Sequence, residues 1–315
     1  MQNRLNQNDV TNRVNVENAD AVQDAVVRVL AARYPGADLT PVRHAFRDFR
    51  ALFEGDYPGY LACDTLYHDM RHSLDVTLAM ARLIDGHDRV HAADDRLGAD
   101  RAMLGVLIAL FHDAGYMKRF SEAHVENGAV FTKVHVSRSA DFLSSYLTQM
   151  GLGNHAPLAA QIVHFTGYEL NIDDIRIADR RDRRLGSLVG TADLIGQMSD
   201  RMYLEKCREF LYPEFVWAEI ARERGPDGRE IVRYSSADDL LFKTPGFYEY
   251  VARLRIEKKL ESADQYAAAH FDGTNLYQSE IDRNMSFLRG ALETADLSRL
   301  RRLVYSLSGK RREAA

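Results

Sequence analysis

An all-α fold is predicted, on three observations. Apolar residues recur at helical spacing in most segments between residue 19 and the C-terminal region, β-rich runs are nearly absent, and Met103 to Phe111 (MLGVLIALF) is apolar without a break. A helix that is hydrophobic all round is a buried one. This one ends in the adjacent pair His112-Asp113, and two ionisable groups at the end of a buried helix are costly unless paired or bound to metal.

Residues 1–18 are polar, rich in Asn and Gln, and read as a flexible segment. From Ala19, Val22, Val26, Val27, Leu30 and Tyr34 mark a first helix that Pro35-Gly36 ends. Thr40-Pro41 opens a second, with the proline in its first turn. The stretch from Phe53 to Leu66 is rich in Gly, Pro and Tyr and reads as a surface loop. Next, Leu74, Leu78 and Ala81 make a helix on which His68 and His72, four apart, share a face. Gly86 to Asp100 reads as a charged loop, in which His87 is solvated, and the His112-Asp113 helix follows. Lys118 to Lys133 is polar and irregular and suits a lid.

His135 opens an amphipathic helix carrying Phe142, Leu143, Tyr146 and Leu147, and the next helix presents His164. LGSLVGTADLIGQM is a second largely apolar helix with one buried acid, Asp193. Beyond it a helical run is expected to turn at Tyr212-Pro213 and to lead, past Phe215 and Trp217, into a hairpin-like RGPDGRE. Further helices follow from about Ser236 to Ser308, and the tail GKRREAA is expected to fray. A soft boundary near residue 205 divides 19–205 from a helical extension, 206–315, packed on the core as one unit.

Composition narrows the function classes. The chain has 315 residues, 46% hydrophobic and 28% charged, with a formal net charge of −5. No basic domain with clustered Lys and Arg supports nucleic-acid binding; the densest basic run, Arg176 to Arg184, is interrupted by Asp179 and Asp182. Two distant cysteines, Cys63 and Cys207, exclude a disulfide framework and fit a reducing compartment. Neither a signal peptide nor a membrane-spanning run is legible, so a cytoplasmic, soluble protein is expected. No HExxH, Walker loop or G-x-S-x-G elbow occurs, and Gly151-Leu152-Gly153 follows a helix rather than a strand.

Three of the eleven histidines precede an aspartate, so the dipeptide alone proves little. What distinguishes His112-Asp113 is its company. His72, His112, Asp113, His135, His164 and Asp193 each sit at or within an apolar helix, and one metal site would serve all six. Imidazole and carboxylate together suit Zn, Fe, Mn, Co or Ni, and the carboxylate share admits Mg.

The order His72, His112-Asp113, Asp193 resembles the H…HD…D signature of the HD-domain metal-dependent phosphohydrolase superfamily. His135 and His164 resemble the added ligands of its binuclear branch, and Tyr67-His68-x-x-x-His72-x-x-Asp75-Val76 is similar to the opening motif of class I cyclic-nucleotide phosphodiesterases. The resemblance covers roughly residues 60–215, about half of the chain. It implies an HD-domain helical bundle with additional C-terminal helices, and two divalent metal ions (Mn, Mg, Zn, Ni or Fe). His72, His112, Asp113 and Asp193 would hold the first ion with Asp113 bridging, and His135 and His164 would complete the second. A metal-activated hydroxide would attack a small phosphoester, a cyclic nucleotide or a relative, while His68 protonates the leaving alkoxide; a histidine suits that task because its pKa lies near working pH.

Departures from the pattern narrow the substrate. Asp69 stands where the phosphodiesterases have Asn, their further histidine downstream of HD is missing from HDAGYMK, and Tyr116 departs from the HD-GYP pattern, which disfavours cyclic dinucleotides. Lys118, Arg119 and Arg138 could grip a substrate phosphate and Gln197 could reach the pocket, although a surface role suits the cations better. Tyr203, Phe215 and Trp217 read as core rather than as a base-stacking wall. A di-iron oxygenase, a chemistry also found in the HD superfamily, and a non-catalytic metal-binding sensor are the alternatives. Neither nucleic acid nor membrane is expected as a partner, and the C-terminal helices could cap the pocket or form a homodimer.

Overall fold

The computed structural model describes residues 4–225, 227–300, 302 and 304. Among the described residues the fold is all-α apart from one two-stranded hairpin. Helices α1 (Ala19–Arg33), α2 (Thr40–Glu54), α3 (Met70–Val90) and α4 (Gly98–Phe111) come first, followed by α5 (His135–Gln149), α6 (Ala156–Ile162) and α7 (Arg180–Ser199). Beyond them run α8 (Tyr203–Lys206), α9 (Tyr212–Trp217), strands β1 (Arg222–Arg224) and β2 (Glu230–Val232), then α10 (Ala237–Phe247), α11 (Arg253–Lys258), α12 (Gln265–His270) and α13 (Leu276–Glu293). The strands pair antiparallel with Arg222 opposite Val232, which is the hairpin expected around RGPDGRE. Among the described residues no helix is long and apolar enough to cross a membrane.

The centre of the bundle is α3, which packs on α1, α4, α7 and α12. Burial extends along nearly its whole length, from Arg71 to Asp88. Asp69 caps it by accepting a hydrogen bond from the His72 amide, which fixes the first turn and with it the direction of His72. Two small residues let neighbours approach closely. A side chain at Gly190 of α7 would meet the Phe165 carbonyl at 2.4 Å, and one at Gly86 of α3 the Tyr266 carbonyl at 1.8 Å.

The structure corrects the sequence reading in three places. First, α3 runs on through His87 and Asp88, which are buried rather than solvated. His87 Nδ1 lies 2.7 Å from Asp88, and Asp88 also accepts from the Tyr34 hydroxyl and the Leu97 and Gly98 amides, so both polar groups are satisfied without water. Second, residues 4–18 are not loose. Asn8 bridges Asn15, Val10 and Val16 join the core, and Asp9 is buried, accepting from the Arg13 and Val14 amides and pairing with buried Arg82. Third, the chain does not turn at Tyr212-Pro213. A π-helical turn, Cys207–Leu211, widens the helix ahead of Pro213, and α9 continues from it. A second π-helical turn, Tyr248–Ala252, joins α10 to α11.

The C-terminal helices lie against the first two-thirds of the chain. Asn284 of α13 donates to the Met198 and Asp200 carbonyls at the end of α7, and Glu280 pairs with Arg4. The tail GKRREAA lies outside the described residues.

Asp9 and Arg82 give a direct test of the folded N-terminal segment. Removing one partner of a buried ion pair strands the other charge and costs about 3–5 kcal/mol. Asp9→Ala is therefore expected to lower the thermal unfolding midpoint sharply, whereas a loose segment would leave it unmoved.

Candidate metal centre

Three elements bring the histidines together: the start of α3 supplies His72, the end of α4 supplies His112 and Asp113, and the start of α5 supplies His135. One ligand atom each from His72, His112 and Asp113 fall within 4.8 Å of one another, and all three residues are buried. Asp113 Oδ2 is 3.4 Å from His72 Nε2 and 3.3 Å from His112 Nε2. Its other oxygen, Oδ1, lies 3.7 Å from His135 Nε2, so the two carboxylate oxygens face different histidines. Asp193, from the middle of α7, places Oδ1 3.4 and 3.8 Å from the same two Nε2 atoms.

The backbone sets the tautomers. His112 Nδ1 lies 2.8 Å from the Ala109 carbonyl and His135 Nδ1 lies 2.7 Å from that of Thr132. Each ring nitrogen donates there, which turns each Nε2 inward, the orientation that the outer hydrogen bond of a metal-bound histidine sets. His112 and His72 bring their Nε2 atoms to 3.3 Å, a repulsive contact unless a proton or a cation lies between them. Asp113 Oδ2 is buried with no hydrogen-bond partner. An orphaned carboxylate oxygen among converging nitrogen lone pairs is the donor set a transition-metal or zinc ion takes. These residues fit a metal.

Charge distribution separates the histidines. Burial disfavours the His68 imidazolium, but the Glu214 carboxylate outweighs it and raises the pKa above the ordinary value. At His135, burial and the adjacent His68 prevail over Asp113, so its pKa is lowered. One group is thus biased toward the charged acid and its neighbour toward the neutral, ligating form.

Glu214 was not foreseen from sequence. It is wholly buried, holds His68 Nδ1 at 2.5 Å and accepts from the Tyr67 amide at 2.6 Å. It comes from α9, 146 residues after His68, and the π-helical turn ahead of Pro213 lets the helix continue to it. Tyr116 was likewise missed. Its ring stacks on His68 (centroids 4.4 Å apart) and on His135 (4.5 Å), and so contacts both imidazoles, whose planes are tilted by 36°. The backbone here admits no side chain at Gly115, where a Cβ would lie 1.9 Å from the His135 carbonyl.

The remaining candidates divide. Gln197 lines the cavity and links Asp193 Oδ1 (3.4 Å) to the Tyr67 hydroxyl (3.3 Å). His164 makes no ion pair with Asp113 or Asp193 among the described residues, and its Nδ1 is buried with no hydrogen-bond partner. Lys118 and Arg138 do not face the cavity. Lys118 pairs with Asp64 at 2.6 Å and donates to the Val125 carbonyl. Arg138 is engaged by Glu122 and by the Gly115 and Met117 carbonyls. Both secure the 118–133 segment, and Arg119 lends its amide to Glu122 in the same segment.

A cavity of about 520 Å³ opens over the cluster. His68, His72, Asp113 and Asp193 form its polar floor. Tyr203, in the core as expected, and Phe215, packed against it, also form the cavity wall with Tyr234 and Phe247; Trp217 stays outside. Of the C-terminal helices, α9 and α10 line the pocket.

Fold and site together define an all-α protein with a buried histidine–aspartate cluster able to hold a metal, set beneath an aromatic-walled cavity. No curated protein matches the chain. Residues 122–280, just over half of it, match the family model described as Npun_R2479-like, and the chain belongs to that family. His135, Asp193 and Glu214 lie inside the matched span; His72, His112 and Asp113 lie before it.

Proposed function

We propose that this protein is a metal-dependent phosphohydrolase of the HD-domain type, a phosphodiesterase acting on a cyclic nucleotide or a related small phosphoester. The observation that carries the reading is His68, held by buried Glu214 at 2.5 Å and lining the same cavity as His72, Asp113 and Asp193. A ligand cluster alone would serve storage or sensing; an acid biased toward its protonated form beside it serves bond cleavage.

His72, His112, Asp113 and Asp193 would hold one divalent ion, and His135 would serve a second across Asp113. Such ions supply Lewis acidity toward phosphoryl oxygens and a nucleophile at neutral pH. The chain's own residues do the rest. Glu214 holds His68 by Nδ1, which leaves Nε2–H free to give its proton to the departing alkoxide oxygen. Tyr116 keeps the ring in plane. Tyr203, Phe215 and Phe247 line a space with the size and apolar character of a small-ligand site and exclude bulk water from the leaving group.

Two measurements test this. Protein purified without added metal or chelator is analysed for its elements, then assayed on bis(p-nitrophenyl) phosphate and on cyclic mononucleotides. Bound Mn, Mg, Zn or Ni with turnover that chelator removes and metal restores is expected. Bound metal with no turnover on the panel would defeat the hydrolase reading, and two iron per chain with substrate-dependent oxygen uptake would replace it with an oxygenase.

A further inference from the structure

A second depression, a groove of about 1260 Å³, shares no lining residue with the metal cavity. Its walls come from the N-terminal segment, α1, α3, α13 and the turn after α7. Arginines dominate it. Among the described residues, Arg13, Arg28 and Arg201 line it with no carboxylate at ion-pair distance; the Arg201 Nε does donate to the Asn6 side chain, a neutral partner. Arg4 and Arg283 share a single acid, Glu280, and Arg302 leans on Glu205. The other lining acid, Asp272, is taken by Arg89. Burial, with Arg302, Arg4 and Arg283 close by, depresses the Arg201 pKa, a sign of positive charge crowded beyond its local compensation.

We propose that this groove is a binding site for a small polyanion bearing two or more phosphate groups. Guanidinium groups bind phosphate oxygens in pairs, and several fixed around one depression match a phosphate chain better than a single anion. The chain as a whole is acidic, with a net charge of −5, which disfavours a long nucleic acid and favours a ligand that fits within the groove. The groove is lined by Leu78 and Arg82 of α3, about 9 and about 15 Å along the helix from His72. Arg4 also donates to the Ser199 carbonyl, where the Asp193 helix ends. The site is independent of the phosphohydrolase assignment.

The test is calorimetric titration of the full chain with inorganic tripolyphosphate, beside Asp113→Asn, which disables the metal centre and leaves the groove intact. Saturable binding of one ligand per chain, with equal affinity in both proteins, is expected. The double variant Arg28→Gln/Arg201→Gln should bind about tenfold more weakly or worse. Arg28→Gln alone, on the exposed face of α1, gives the same direction should the double variant fold poorly. Absence of saturable binding, unchanged affinity in a folded arginine variant, or loss of binding in Asp113→Asn would each overturn the proposal. So would tighter binding of a single-stranded oligonucleotide than of tripolyphosphate.

Discussion

Asp113→Asn is expected to empty the metal centre and abolish turnover. The carboxylate reaches three histidines of the site, with Oδ2 toward His72 and His112 and Oδ1 toward His135. An asparagine keeps the volume but supplies no charge, and one of its two oxygens becomes an NH2 facing a ring nitrogen. Loss of a group that merely supports a ligand costs roughly 10–100-fold in metal affinity, and loss of this ligand should exceed that. Elemental analysis and phosphodiester turnover are read on the same preparation. Stoichiometric metal in the variant would refute the assignment of Asp113, and metal loss with full activity would refute metal dependence itself.

The second large effect is expected at His68 and Glu214. His68→Ala should lower kcat by about 10²–10⁴-fold, the usual contribution of a general acid, with little change in metal content. Glu214→Gln should cost less but should change the pH profile. The His68 pKa is raised in the folded protein because Glu214 favours the imidazolium. Activity that needs the protonated ring therefore persists to higher pH than an unperturbed imidazole allows, and falls as pH rises through the raised value. With glutamine in place of the carboxylate the raised pKa drops, and the alkaline limb moves toward acid. The linked stability has the same sign: the imidazolium–carboxylate pair stabilises fully below the unfolded-state pKa near 6.5 and is lost as pH rises through the folded value. An unmoved alkaline limb in Glu214→Gln would reduce the pair to packing.

Which parts of this molecule can be read from its sequence follows from how locally each is determined. Helices such as α4 and α7 were legible because an apolar run carries its own evidence of burial. His72, His112, Asp113, His135 and Asp193 were legible as candidates because each is a polar group inside such a run, and the structure brings them together. Buried polar groups that satisfy one another were not legible. His87-Asp88 looked solvated because nothing nearby in sequence announces the Tyr34 hydroxyl or the Leu97 and Gly98 amides that surround it. Asp9 was hidden for the same reason, since its partner is 73 residues away. Glu214 lies in a short amphipathic stretch that reads as ordinary core, and its role exists only once α9 meets the start of α3. Lys118 and Arg138 were weighed as phosphate grips against a preferred surface role, and local carboxylates and carbonyls claim them.

The absence of a side chain at Gly115 reaches beyond this chain. Because the His135 carbonyl occupies the space a Cβ would need, the turn after His112-Asp113 and the first turn of α5 can meet only over a bare backbone. Position 115 is thus a sorting key. Sequences that share the His-Asp pair and keep glycine two places on can seat a histidine where His135 sits, while those with any larger residue there must open that junction and assemble a different set of ligands.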